Sequence, residues 1–177
     1  MKKINTYIVE KLNKINSKNT GIHYNFFPKD RKELNVLINK LISERGFKAN
    51  LNDIDTSEIT DMAYLFHHTV FNGDISEWDM SNVKDMCGMF YFSNFNGDIS
   101  NWDVSNVENM ENMFAGSKFN KDISKWNVSK VKNMASMFEN SKFKGDISKW
   151  NVSNVKNMND MFGNSPLETN PPKWYKN

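Results

Sequence analysis

The sequence predicts a short α/β solenoid, and three observations carry that prediction. Tryptophan recurs at 78, 102, 126, 150 and 174, always 24 residues on. Phe71, Phe95, Phe119 and Phe143 keep the same step, as do Ile75, Ile99, Ile123 and Ile147. Met86, Met110, Met134 and Met158, with Phe90, Phe114, Phe138 and Phe162, complete the register. A fixed period in this range marks a stack of small units, none of which can bury its apolar face alone. Such stacks mostly offer an extended surface to a partner.

One repeat, residues 95–118, shows what each position is for. Asn96-Gly97-Asp98 is a turn signal, since Gly tolerates positive φ and Asn and Asp bond their local backbone. Ile99, Trp102 and Val104 fall at the first, fourth and sixth places of a leucine-rich-repeat strand. Trp102 and Val104 then face inward, and Asp103 faces out. Ser105 fits the N-cap of a short helix whose one face carries Val107, Met110, Met113 and Phe114. Gly116 and Ser117 end it. The expected object is a leucine-rich-repeat-like stack of 24-residue rungs at 47–70, 71–94, 95–118, 119–142 and 143–166.

The ends depart from the pattern, as a finite stack requires. The first rung has Leu51, Ile54 and Leu65 in place of Ile, Trp and Met. The stub at 167–177 keeps Trp174 but puts Pro171 and Pro172 in the strand lead-in, which guards an edge because proline has no donor. Residues 1–46 form an N-terminal cap. Leu34, Leu37, Ile38, Leu41 and Ile42 make a helical stripe, with Asp30 and Glu33 as a capping-box start and Gly46 as the stop. Ile4, Tyr7, Ile8 and Leu12 suggest a second helix, and the apolar stretch from Ile22 to Phe27 a strand.

Composition narrows the function. At 177 residues the chain suits one domain. No apolar run approaches the roughly 20 residues that span a bilayer, and no apolar signal core follows Met1-Lys2-Lys3. A cytoplasmic protein without a membrane partner is expected. Cys87 is the single cysteine, with Ala63, Glu111 and Ala135 one repeat away, so no disulfide or thiol chemistry is expected. Only Arg31 and Arg45 are arginines among 23 basic residues, the bias of an AT-rich genome such as that of a low-GC bacterium or its phage.

The Met and Trp columns are expected to be core and to hold no cofactor. Asp74, Asp98, Asp122 and Asp146 form a column that suggests calcium, but the paired glycines of calcium-binding repeats are absent, so turn capping is the expected role. His67 and His68 with Asp61 make a poor metal site. No acid, base and nucleophile converge and no phosphate loop appears, so no catalysis is expected. Nucleic-acid binding would rest on Lys121, Lys125, Lys130, Lys132 and Lys149. Scarce arginines and tryptophans committed to the core argue against it.

The repeat Phe95-Asn96-Gly97-Asp98-Ile99-Ser100, Trp102-Asp103-Val104-Ser105-Asn106-Val107, Met110, Met113-Phe114 resembles that of BspA-like leucine-rich-repeat proteins. This is the "mycoplasma-type surface protein" repeat, and the likeness covers about residues 47–166. The resemblance implies the fold and a binding role. Exported or lipid-anchored members bind host proteins or other cells, so a surface adhesin is one alternative function.

The outward strand residues are the candidate binding surface. The column before the Trp holds Asp53, Glu77, Asn101, Lys125 and Lys149, and the column after it Asp55, Asp79, Asp103, Asn127 and Asn151. Both drift from acid toward base or neutrality. Net charge is +6 over 1–46, −6 over 47–94, −3 over 95–118, +3 over 119–142 and +2 over 143–177. The total of +2 hides a polarised molecule. The function expected is non-catalytic binding of an intracellular protein through this outward face, in one form a basic, nucleic-acid-binding partner. A second form is a phage or mobile-element inhibitor that blocks the channel of a bacterial defence nuclease, in the manner of an anti-CRISPR protein.

Overall fold

The computed structural model describes residues 23–176. The helix suggested by Ile4, Tyr7, Ile8 and Leu12 lies outside the described residues. The stripe from Leu34 to Ile42 sits on helix α1, Arg31–Arg45. Asp30 caps it, its carboxylate accepting the Glu33 N–H at 2.9 Å, while Glu33 reaches back to the Lys29 N–H at 3.0 Å. Gly46, at φ 86°, ends it and donates to the Ile42 carbonyl. Leu34, Ile38 and Leu41 are fully buried and join one apolar core with Leu51 and Ile54. Of the strand expected from Ile22 to Phe27, Ile22 lies outside the described residues, and the rest shows one parallel bridge, Phe26 to Ile54, flanked by Asn25 N–H to Asp53 O and Asp55 N–H to Phe26 O.

From Asn50 onward, residues 24 apart meet. Parallel bridges join Asn50 to Asp74, and Asp61, Asp85, Asn109, Asn133 and Asn157 in succession. The bridges mark a ladder. The N–H groups of Met86, Gly88, Phe90 and Phe92 donate to the carbonyls of Asn109, Glu111, Met113 and Ala115 at 2.8–2.9 Å. Met110, Asn112, Phe114 and Gly116 do the same to Asn133, Ala135, Met137 and Glu139 at 2.7–2.9 Å. These donors point toward the next rung, while Lys84, Glu108, Lys132 and Lys156 donate back to Thr60, Lys84, Glu108 and Lys132 at 2.8 Å, so the ladder is polar in its majority of bonds.

Aromatic rings follow the ladder in parallel stacks, with Phe95–Phe119 at 6.4 Å, Phe90–Phe114 at 5.6 Å and Trp102–Trp126 at 6.5 Å. Each fully buried Phe or Trp is worth about 1.5–3 kcal/mol or more of burial. Each indole also keys its rung to the one before: Trp78, Trp102, Trp126, Trp150 and Trp174 donate Nε1–H to the carbonyls of Leu51, Ile75, Ile99, Ile123 and Ile147 at 3.0–3.2 Å.

Within the described rungs there is neither a helix nor a run of strand. The segment expected as a strand is two tight turns, Trp102 N–H to Ile99 O and Val107 N–H to Val104 O. The reason is local: Asp98 and Asp103 accept the amides of Ser100 and Ser105, offering the backbone an alternative to a strand ladder. Ser105 is therefore a turn donor, not a helix N-cap. The segment expected as a helix is two turns, Met113 N–H to Met110 O and Ser117 N–H to Phe114 O. Asn112 and Gly116, third in each turn, have φ of 55° and 65°, as a type II turn demands and a right-handed helix forbids.

Gly97 also serves a different purpose from the one its turn signal suggests. It is not among the residues with positive φ. A Cβ there would come within 2.7 Å of the Phe95 ring and 3.3 Å of the Gly73 carbonyl oxygen. It is small because a neighbouring rung and its own phenylalanine approach it closely.

Candidate functional site

The column after the tryptophan is built from one repeated turn. Asp55, Asp79, Asp103, Asn127 and Asn151 each accept, at Oδ1, the N–H of the serine two residues on, at 2.9–3.2 Å. Such Asx turns need only a side-chain oxygen, which Asp and Asn supply alike. Asp103 is exposed, and the Ser105 hydroxyl and amide hold its carboxyl below the usual carboxylate range. Asn127 and Asn151 are exposed in the same way, while Asp55 and Asp79 are half-buried.

The column before the tryptophan is divided. Asp53 is tied to α1: Arg45 grips both its oxygens at 2.9 and 3.0 Å, and Asn25 adds a third bond at 2.9 Å. Burial raises the Asp53 pKa, but these bonds outweigh it and leave the carboxyl below its ordinary value. Asp53 thus fastens the cap. Glu77, Asn101, Lys125 and Lys149 are exposed. Burial first, and then the charges of Asp55, Asp79 and Glu77, push up the Tyr24 hydroxyl.

The column Asp74, Asp98, Asp122 and Asp146 caps turns, each carboxylate accepting the amide of the serine two residues on at 2.8–3.0 Å. Among the described residues no group of three His, Cys, Asp or Glu side chains is placed to hold a metal ion. No described helix is long and apolar enough to cross a membrane.

Two features escaped the sequence analysis. A third Asx column, Asp61, Asp85, Asn109, Asn133 and Asn157, runs along the bridges and is again acidic only at the first rungs. Beside it lies an exposed aromatic cluster. The His68 ring stacks on Phe92 with centroids 5.4 Å apart, meets Tyr91 edge-on at 5.4 Å and sits 5.9 Å from His67. Tyr64 and Phe92 stay 41% and 48% exposed, although their rings lie over Gly88 and Gly116 of the following rung. The signal was available column by column: the same places hold Asn112, Ala115 and Gly116, then Ser136, Glu139 and Asn140.

Cys87 lies within this cluster, its thiol 3.4 Å from the Tyr64 hydroxyl. Burial pushes the thiol up, and the Asp85, Glu111 and Asp61 carboxylates add to that, so it stays protonated. The bond to Cys87, then burial and nearby carboxylates, push Tyr64 up to about 12.

Two overlapping stretches, residues 11–115 and 68–174, match the family described as "Mycoplasma protein of unknown function, DUF285". No curated protein and no solved structure matches significantly. The matched stretches span nearly all of the repeat register, so the chain belongs to this family, that of the BspA-like mycoplasma surface repeats.

Proposed function

We propose that the chain is a non-catalytic, protein-binding solenoid whose acidic first rungs receive a basic surface of another protein. The observation that carries this reading is the equivalence of Asp and Asn in the turn column. Asn127 and Asn151 make the same serine bond as Asp55, Asp79 and Asp103 without charge. The geometry of the turn therefore does not require the three negative charges, since a neutral amide oxygen fills the same place. Stacked about 4.8 Å apart, adjacent carboxylates repel by roughly 1 kcal/mol even at water's dielectric, and a cationic partner relieves that. Exposed Tyr64 and Phe92, with half-buried Tyr91 against Phe92, lie on the same rungs and are aromatic residues of the kind that anchor interfaces. Lysine- and arginine-lined grooves, such as nucleic-acid-binding proteins carry, have the complementary chemistry.

The test is affinity capture from a low-GC bacterial lysate with the native chain and with Asp55, Asp79 and Asp103 all changed to Asn. This variant keeps every turn bond. A basic protein held by the native chain and released by the variant is the predicted result. Equal capture by both chains would sink the acidic-face reading.

A further inference from the structure

The polar ladder leaves the two ends of the stack chemically different. At the start, outward carbonyls are met by the cap: Arg31 donates to the Ala63 carbonyl at 3.0 Å and pairs with Asp61 at 3.1 Å. At the far end the row that follows the bridges finishes in donors, beside the Lys156 carbonyl that ends the row of returning bonds. Met134, Ser136, Phe138 and Asn140 donate to Asn157, Asn159, Met161 and Gly163. Their counterparts one rung on are Met158, Asp160, Phe162 and Asn164. Asn164 N–H is taken by the Glu168 carboxylate at 3.1 Å, and Phe162 is covered by the Tyr175 ring at 4.9 Å. Among the described residues, the N–H groups of Met158, Asp160 and Phe162 have no acceptor, and of the three only Phe162 lies under the Tyr175 ring.

The apolar column is open at the same place. Val128, Val131 and Met134 are 0–1% exposed, whereas Val152, Val155 and Met158 are only half-buried. Trp174 and Tyr175 cover the phenylalanine side of the last rung, and the Tyr175 hydroxyl reaches the Met158 carbonyl at 3.5 Å, but Val152 and Val155 stay half-buried. A groove runs along it, lined by Val155, Lys156, Met158, Asn159, Asp160 and Lys176. Neither lysine has a salt-bridge partner among the described residues, while Lys132, one rung before Lys156, is paired with Glu108.

We propose that an extended, acidic peptide segment of a partner protein adds to this edge as a further rung. Its carbonyl oxygens, two residues apart, accept the Met158 and Asp160 N–H groups, as backbone addition to an open edge requires. Its apolar side chains cover Val155 and Met158, and its carboxylates lie between Lys156 and Lys176. Glu168 supplies an internal precedent, because a carboxylate already satisfies one donor of the row. A second copy of this chain does not fit head to tail, since α1 covers the complementary carbonyl end. Asp160 opposes an acid placed directly over it and so directs the peptide's carboxylates to the lysine side.

The probe is a synthetic peptide alternating glutamate and valine, titrated into the full chain while backbone amides are followed by NMR. Saturable shifts centred on Met158 and Asp160, with slowed exchange of both amides, are predicted; Met134 and Ser136, already bonded, stay unchanged. Lys156→Glu with Lys176→Glu, both on exposed side chains, should weaken binding by roughly tenfold or more without altering the spectrum elsewhere. Changing Asp55, Asp79 and Asp103 to Asn should not affect this site, which separates it from the acidic face. No shift at Met158 and Asp160 under excess peptide would overturn the proposal. So would equal binding of a lysine–valine peptide, or binding of an oligothymidylate at the same lysines in place of the peptide.

Discussion

Small polar side chains in each rung are committed to their own backbone. Asp98, Asp103 and Asn109 accept the amides of Ser100, Ser105 and Glu111, and Ser117 accepts that of Phe119. The carboxyls of Asp98, Asp122 and Asp146 are held below their ordinary value by the amides of Ser100, Ser124 and Ser148, and Asp103 by the Ser105 hydroxyl and amide. A depressed folded-state pKa contributes stability that is full above the unfolded value of about 3.9 and is lost as pH falls through the folded value. Urea midpoints should therefore hold from neutrality to about pH 5 and drop steeply below about pH 4; an unchanged midpoint at low pH would contradict the turn assignment. The indole ladder makes a second residue-scale prediction. Trp126 is 4% exposed and its N–H satisfies the buried Ile99 carbonyl. Trp126→Phe should lower unfolding free energy by about 1–2 kcal/mol, through the lost indole bond and the lost volume, since the Ile99 carbonyl keeps the Trp102 N–H.

At the scale of the element, apolar spacing and hydrogen bonding gave different answers. Val107, Met110, Met113 and Phe114 are all fully buried, so the sequence pattern located the core correctly. It did not locate the backbone. Two successive four-residue turns place side chains inward at nearly the helical interval, and the left-handed residues that distinguish them are not all glycine. Tyr64, Phe92, Ser136 and Asp160 take φ of 50–59° at these places, so no column of glycines announces the turns. By contrast α1 was legible because its cap, stripe and stop are all local signals. Glycines of the first turn differ from rung to rung. A Cβ on Gly73 would lie 2.1 Å from the Ala49 carbonyl oxygen, which the Asp74 N–H holds in place at 3.0 Å. One on Gly145 would meet only the Phe143 ring, and the same position carries Lys121 two rungs on from Gly73. Gly73→Ala should therefore cost about 2–3 kcal/mol and Gly145→Ala under about 1 kcal/mol by thermal or urea unfolding. Equal costs would mean that the two rungs pack alike.

The whole molecule is a directional object. Along the column that follows the bridges most backbone donors point from the α1 end to the Met158 edge, and charge runs from the acidic rungs at 47–118 to the basic residues beyond. The charge gradient was legible because charges can be counted along a period. The direction of the ladder was not, since it depends on which backbone groups face the next rung. The same limit applied to the candidate face: the columns could be listed from the repeat, but the engagement of Asp53 by Arg45 and the exposed cluster around His68 and Phe92 required coordinates. The central claim is that negative charge at Asp55, Asp79 and Asp103 serves a partner and not the fold. Urea unfolding of the chain with all three changed to Asn, beside the native chain, tests it most directly. A total change within about 1 kcal/mol of native is predicted, because the serine bonds persist and relief of like-charge repulsion offsets the charge assistance that Asp103 loses from Ser105 and Lys130. A loss of about 1 kcal/mol per site, the size expected for a missing turn bond, would show that the carboxylates are structural and contradict the account.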